Sequence, residues 1–285
     1  MILVTGASGK TGKAIVEALA ETGKNVRALV HRVEQEKTLK QLGASEVRSG
    51  DIHNRSLLEE SIKDVTALYH ICPNVSEDEF EIGELVINTA KAAGVERFIY
   101  HSVLHPSIEE MPHHWLKMQV EALLFKSGLN FTVLQPVAYM QNVLGYWNQI
   151  FNQGIYPVPY RPETRLGMVD LLNVAEAAVK VITETGHEGA IYELCGSEAL
   201  SQTEVAEVLS QKLNRPVKVE KVLIEIWEVQ ARGSGMNEYA INTLIRMFNY
   251  YDLYGFKGNT RVLSGLIGHN PTRFSEFIDR TLLEK

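Results

Sequence analysis

Cysteine is nearly absent from this chain. Cys72 and Cys195 are the only two among 285 residues, too few for a disulfide framework and not spaced as metal ligands. Apolar runs of about 18 residues, long enough to span a bilayer, are missing as well. So is the charged stretch, apolar core and cleavage site of a secretory signal. The expected location is cytoplasmic, with no membrane partner. Basic excess is also lacking: 28 Lys and Arg stand against 35 Asp and Glu, a net charge of −7. Nothing general therefore attracts a phosphate backbone, and nucleic acid is not an expected partner. There is no low-complexity tract and no internal repeat of roughly 20 to 50 residues. What remains, 45% hydrophobic and 22% charged residues, is the composition of an ordinary globular protein, long enough for one large domain with an appended lobe or for two domains.

The most informative stretch is the first. An apolar run, Ile2 to Val4, leads directly into Gly6, Gly9 and Gly12. A buried parallel strand that ends in a tight turn and passes at once into a helix offers unpaired backbone N–H groups and a helix dipole to a pyrophosphate. Gly6 suits the turn, Gly9 allows close approach of an anion, and Gly12 lets the new helix lie against the strand. Ser8, Lys10 and Thr11 add donors at the same place. The neighbouring Gly9-Lys10-Thr11 suggests the end of a nucleoside-triphosphatase loop, but that loop needs a glycine five positions earlier, where this chain has Val4.

Downstream, strands and helices alternate. Strands are expected at 25–30, 44–48, 67–71, 97–101 and 131–134, with helices at 34–42, 57–63, 77–93 and 114–126, the last two closed by Gly94 and Gly128. Parallel strands need crossovers, so the expected fold is α/β, a doubly wound parallel sheet of Rossmann-like type. The alternation ends near residue 140. Tyr156-Pro157-Val158-Pro159 reads as irregular, Asp170 as the cap of a helix over 171–183, and Ser201 with Glu204 as a capping box. Residues 222–251 are mostly helical in pattern. The expected division is a dinucleotide domain over 1–155 and a smaller, mostly helical lobe over 156–285, partly interleaved with the first and completing a substrate pocket.

The second strand bears on which dinucleotide is bound. NAD-preferring folds place a carboxylate about 20 positions past the glycines to meet the ribose 2′-hydroxyl. Here that place is held by His31-Arg32. An arginine grips a 2′-phosphate, so NADP(H) is expected over NAD(H), with Lys10 and Arg27 adding to the basic corner. Asp51 is expected near the adenine, and Ile71 to Pro73 beside the cofactor at the end of the fourth strand.

Five segments, VTGASGKTG, VRALVHR, ERFIYHSV, KSGLNFTVLQPVAYMQN and EFIDRTL, resemble the NmrA-like family of atypical short-chain dehydrogenase/reductases. The Gly6-Gly9-Gly12 spacing is similar to the variant used by extended and atypical members of that superfamily. Their typical helix carries a Tyr four residues before a Lys; this chain keeps Lys117 but has His113 at the tyrosine position. The resemblance implies that Lys117 bonds the nicotinamide ribose, that Ser102 stands where relatives carry a catalytic serine, and that Tyr139 and Asn142 line the substrate side.

Reducing an isolated ketone builds an alkoxide that needs a positioned acid, whereas charge accepted by a quinone spreads over a conjugated ring. The loss of the tyrosine therefore favours an NADPH-dependent reductase of a quinone or similar small-molecule electron acceptor, with His113 and Lys117 as the catalytic pair. The alternative is a non-catalytic NADP(H) sensor acting through a regulatory protein partner; a homodimer fits either reading. No metal is expected, since His101, His105, His113 and His114 lack an acidic or cysteine partner at zinc spacing. Cys72, next to the expected nicotinamide position, reads as a small buried hydrophobe rather than a redox group.

Overall fold

A computed structural model describes residues 1–283. The apolar run forms β1 (Ile2–Val4), buried throughout, and the turn after it opens α1 (Lys10–Glu21). The alternation continues through β2 (Val26–Val30), α2 (Glu36–Gln41), β3 (Glu46–Ser49), α3 (Arg55–Ile62), β4 (Ala67–His70), α4 (Glu79–Ala92), β5 (Arg97–His101), α5 (Pro112–Ser127) and β6 (Phe131–Pro136). Then come α6 (Trp147–Gln153), β7 (Ile155–Val158), β8 (Arg165–Gly167), α7 (Leu171–Thr183), β9 (Ile191–Leu194), β10 (Ala199–Ser201), α8 (Gln202–Leu213) and β11 (Lys218–Lys221). Four helices finish the chain: α9 (Ile224–Gly233), α10 (Glu238–Tyr254), α11 (Thr260–Ile267) and α12 (Phe274–Leu283).

Seven strands make one sheet in the order β3-β2-β1-β4-β5-β6-β9. The parallel register sets Leu3 opposite Arg27 on one side and Leu68 on the other. Strand order reverses between β1 and β4, and in such sheets a ligand crevice lies beyond the carboxyl ends of the strands at that switch point. Both of those ends belong to segments singled out above, Thr5–Gly9 and Ile71–Pro73.

Two units are distinguished. The first comprises residues 1–107, 113–135 and 174–192, the second 108–112, 136–173 and 193–285. The core of the first gathers Leu3, Leu68, Val86, Phe98, Val120 and Leu124 from strands and helices. That of the second is built on Met140, Ile150, Tyr156, Leu209, Phe274 and Phe277.

Most expected elements form within a residue or two. The Ser201–Glu204 capping box is present, each side chain bonding the other's backbone N–H, and Asp170 Oδ1 accepts from Leu172 N at 3.2 Å at the start of α7. Two segments differ. The helix expected from residue 34 begins as a separate 3-10 turn, Val33–Gln35. Residues 155–158, expected irregular, form β7 and pair in parallel with β11, because Tyr156 and Val158 both bury into the second core. Pro157 is tolerated there since a two-stranded sheet leaves one side of each strand without ladder bonds to make. Among the described residues, no helix is long and apolar enough to cross a membrane.

Candidate active site

The turn after β1 is over-determined by its neighbours. Gly6 has φ +60°, and a Cβ there would sit 2.6 Å from the Ile71 carbonyl oxygen, so a side chain is excluded by conformation and by space. A Cβ on Gly12 would stand 2.4 Å from Gly6 O and 2.6 Å from Ala7 Cα. Gly9 differs: its φ is −69°, and a Cβ would meet only Gly6 O, at 3.4 Å. Nothing in the fold requires glycine at that position, which leaves the space beside it for something outside the chain. Gly9 caps α1 without a side-chain hydrogen bond, and no acidic residue stands in the first turn. The first-turn amides and the positive end of the helix dipole therefore lack an internal anion, and a pyrophosphate fits them. Lys10 is exposed and Thr11 is buried at the start of that turn.

Thr5 ties this loop to the end of β4. Its hydroxyl oxygen accepts from Ile71 N at 3.0 Å and lies 2.8 Å from His70 Nδ1. Ile71 is half-buried and Pro73 exposed, and the 71–73 segment flanks the glycine loop.

Beside the loop a hollow of about 310 Å³ is lined by Ser8, Lys13, Arg32, Glu34, Gln35, Thr38 and Leu39. Arg32 thus meets Ser8 at one site, and Gln35 fixes its backbone by accepting from Arg32 N at 3.0 Å. The second cation of this corner is Lys13. Arg27, expected to contribute, is instead buried: its guanidinium pairs with Glu46 at 2.8 Å and donates to the Ser61 and Lys63 carbonyls. A larger hollow, about 410 Å³, opens among Met1, Lys24, Thr66 and Arg97, at the edge where the strands begin, and contains none of the expected site residues.

His113 and Lys117 lie one turn apart on α5. Lys117 Nζ donates to Glu79 Oε1 at 2.9 Å and to the His101 carbonyl at 3.2 Å, and lies 5.3 Å from the centre of the Tyr100 ring. The same Glu79 oxygen accepts from Tyr100 OH at 2.7 Å. Burial, with His114 and the Lys117 ammonium nearby, holds the His113 imidazole down to a pKa of about 3. The ring is therefore neutral near pH 7; its Nδ1 is buried without a hydrogen-bond partner, and it packs edge-on against His114 with centroids 4.5 Å apart.

Ser102, at the position where the resemblance places a catalytic serine, has a partner inside the protein. It is buried and donates to Glu121, a carboxylate that also accepts from Gln135 Nε2 at 2.9 Å and 3.0 Å. Cys72 is buried, and burial together with nearby Glu79 pushes its thiol far above the usual range. Asp51 is exposed and accepts from His53 N at 3.0 Å and His53 Nδ1 at 2.8 Å, which lowers its carboxyl pKa. Tyr139 and Asn142 belong to the second unit, where Tyr139 bridges Val169 and Asn142 is exposed on the 3-10 turn Met140–Tyr146. Among the described residues, no three His, Cys, Asp or Glu side chains gather as a metal site.

The chain as a whole has relatives. Residues 1–279 match the NmrA-like family. This chain belongs to it. The NmrA-like chain is 28% identical over 282 residues to NAD(P)H azoreductase of Xenophilus azovorans, covering 97% of this chain and 96% of that protein. It is 26% identical over 280 residues to quinone oxidoreductase 2 of Escherichia coli strain K12, covering 98% and 97%. Among solved structures, an NADPH-dependent quinone oxidoreductase from Escherichia coli complexed with NADPH shares 26% identity with this NmrA-like protein. It covers 99% of this chain and 100% of its own, with a TM-score of 0.86.

Proposed function

We propose that this protein is an NAD(P)H-dependent oxidoreductase that binds NADP(H) in preference to NAD(H) and passes hydride to a quinone or similar conjugated acceptor. The observation that carries the cofactor reading is the joining of two features in one unit: an uncompensated helix N-terminus after a glycine turn, and beside it a hollow holding Ser8, Lys13 and Arg32. The first suits a pyrophosphate and the second a 2′-phosphate. Glu34 lines the same hollow and offsets part of its positive charge.

In this reading Gly6, Ser8, Gly9, Lys10, Thr11 and Gly12 hold the pyrophosphate and Arg32 with Lys13 the 2′-phosphate. Asp51 stands toward the adenine, Ile71 and Pro73 flank the cofactor, and Lys117 bonds the nicotinamide ribose. The bound dihydronicotinamide supplies the hydride. Lys117 has three N–H donors, two of them spent on Glu79 and His101, so one is left to orient a ribose hydroxyl. His113 contributes a neutral ring and no imidazolium near pH 7. An acceptor that needs a strong acid is disfavoured for that reason, and one whose accepted charge is delocalised is favoured. Tyr139 and Asn142 are assigned to the acceptor side.

The relatives named as an azoreductase and a quinone oxidoreductase support a conjugated acceptor. The test pairs fluorescence titration of NADPH and NADH with NADPH oxidation over a panel of quinones and azo dyes. Tight NADPH binding with turnover is the expected result. Tight binding without turnover on any acceptor replaces the enzyme reading with that of a dinucleotide-sensing regulator, and absence of binding overturns both.

A further inference from the structure

Lys117 is held by a residue that no sequence motif marks. Glu79 is the first residue of α4 and only 2% exposed. One of its oxygens accepts from both Tyr100 and Lys117, while the Lys117 side chain is 15% exposed. A buried ion pair of this kind contributes little net stability compared with apolar residues of the same shape, because desolvating both charges offsets their attraction. Its value lies in what it does to the lysine.

The other groups around the ammonium do not replace Glu79. His70 from β4, His101 from β5, and His113 and His114 from α5 are all held neutral by burial, with pKa values of about 3 to 4. The thiol of Cys72 and the phenol of Tyr100 are pushed up and stay protonated. Glu121 is committed to Ser102 and Gln135, and burial raises its pKa. Glu79 is therefore the carboxylate that answers the charge of Lys117.

We propose that Glu79 is a positioning residue: it balances the Lys117 ammonium and, with the His101 carbonyl, fixes two of its N–H bonds so that the third points to a single acceptor at the ends of β4 and β5. That acceptor is the cofactor ribose, an assignment that rests on the proposed function. The pairing itself belongs to the protein without cofactor and is tested there.

The first readout is the Lys117 side-chain ammonium resonance in protein labelled with 15N-lysine and free of cofactor, assigned by its loss in Lys117→Met. Such a signal survives only while the group is charged and shielded from exchange. It is expected to persist in the wild type from about pH 6 to about pH 9 and to fade with rising pH in Glu79→Gln. Glu79→Asp, which keeps the charge, is expected to retain it over a wider pH range than Glu79→Gln. The second readout is NADPH affinity. The ratio of the Glu79→Gln dissociation constant to that of the wild type should rise from near one at about pH 6 to about ten at about pH 9. Adding Glu79→Gln to Lys117→Met should change nothing further.

A wild-type ammonium signal that is missing, or one that responds to pH alike in wild type and Glu79→Gln, overturns the proposal. So does a ratio independent of pH, or an equal effect of Glu79→Gln with and without Lys117. If the ammonium signals behave as expected and NADPH does not bind the wild type, the cofactor reading fails and the Glu79–Lys117 pairing stands.

Discussion

The Cβ that Gly12 lacks would stand 2.4 Å from the carbonyl oxygen of Gly6, six residues earlier in the chain. This contact makes the spacing of the two glycines a packing requirement, whereas Gly9 between them is free of it. Gly12→Ala should destabilise the fold by about 1–3 kcal/mol, the usual cost of forcing a methyl group into a filled site. Gly9→Ala should cost less than about 1 kcal/mol, yet weaken NADPH binding by about tenfold if the pyrophosphate lies against it. Urea melts and NADPH titrations of the two variants separate these outcomes, and equal losses of stability would remove the distinction.

Arg32 and Ser8 share one hollow with Lys13. Arg32→Glu should lower the preference for NADPH over NADH by about 1–3 kcal/mol, the range for losing a charge-assisted pair and gaining a repulsion. Lys13→Met should act in the same direction with smaller effect. The ratio of the two dissociation constants is the measurement, and an unchanged ratio in Arg32→Glu takes that residue out of the site.

Because burial holds His113 to a pKa of about 3, it carries no imidazolium proton to give near neutrality. Quinone reduction should show no rate limb near pH 6.5, and His113→Gln should keep kcat/KM within about threefold. A general acid at that position would cost about a hundredfold or more on removal. A pH–rate profile on both proteins checks it.

Two other histidines make stability depend on pH. Burial depresses His70 and His101 from 6.5 to about 3. Between those values the unfolded chain takes up protons that the folded chain refuses, so stability falls as pH drops through that window and is level above it. At about pH 5 the loss is roughly 2 kcal/mol per histidine. His70→Asn should make the acid limb shallower by about one proton, read from urea melts at several pH values.

How much of this was legible beforehand depended on the range of the interaction. Gly12 and the Ser201–Glu204 box act within about six residues of themselves, and the pattern alone points to them. Glu79 was not legible: it is one of five acidic residues between Glu77 and Glu84, and only the β4–β5 register and the helix that follows bring it to Tyr100 and Lys117. Arg27 misled in the opposite sense. Its charge on the second strand suggests a share in the basic corner, but the sheet order places β2 between β1 and β3, where Arg27 is buried and pairs with Glu46. The partner of Ser102, Glu121, lies 19 positions away on α5 and has no local mark in the sequence either. Polar groups paired across elements carry no local signature.

The Thr5 hydroxyl, bound to Ile71 N and close to His70 Nδ1, has a kinetic consequence. It locks the tips of two adjacent parallel strands together, so the glycine turn and the 71–73 segment are one stiff surface before any dinucleotide arrives. A surface of that kind has little ordering left to do on contact. Capture of the dinucleotide should therefore follow single-exponential kinetics with a rate proportional to its concentration, without the plateau that a slow loop rearrangement imposes.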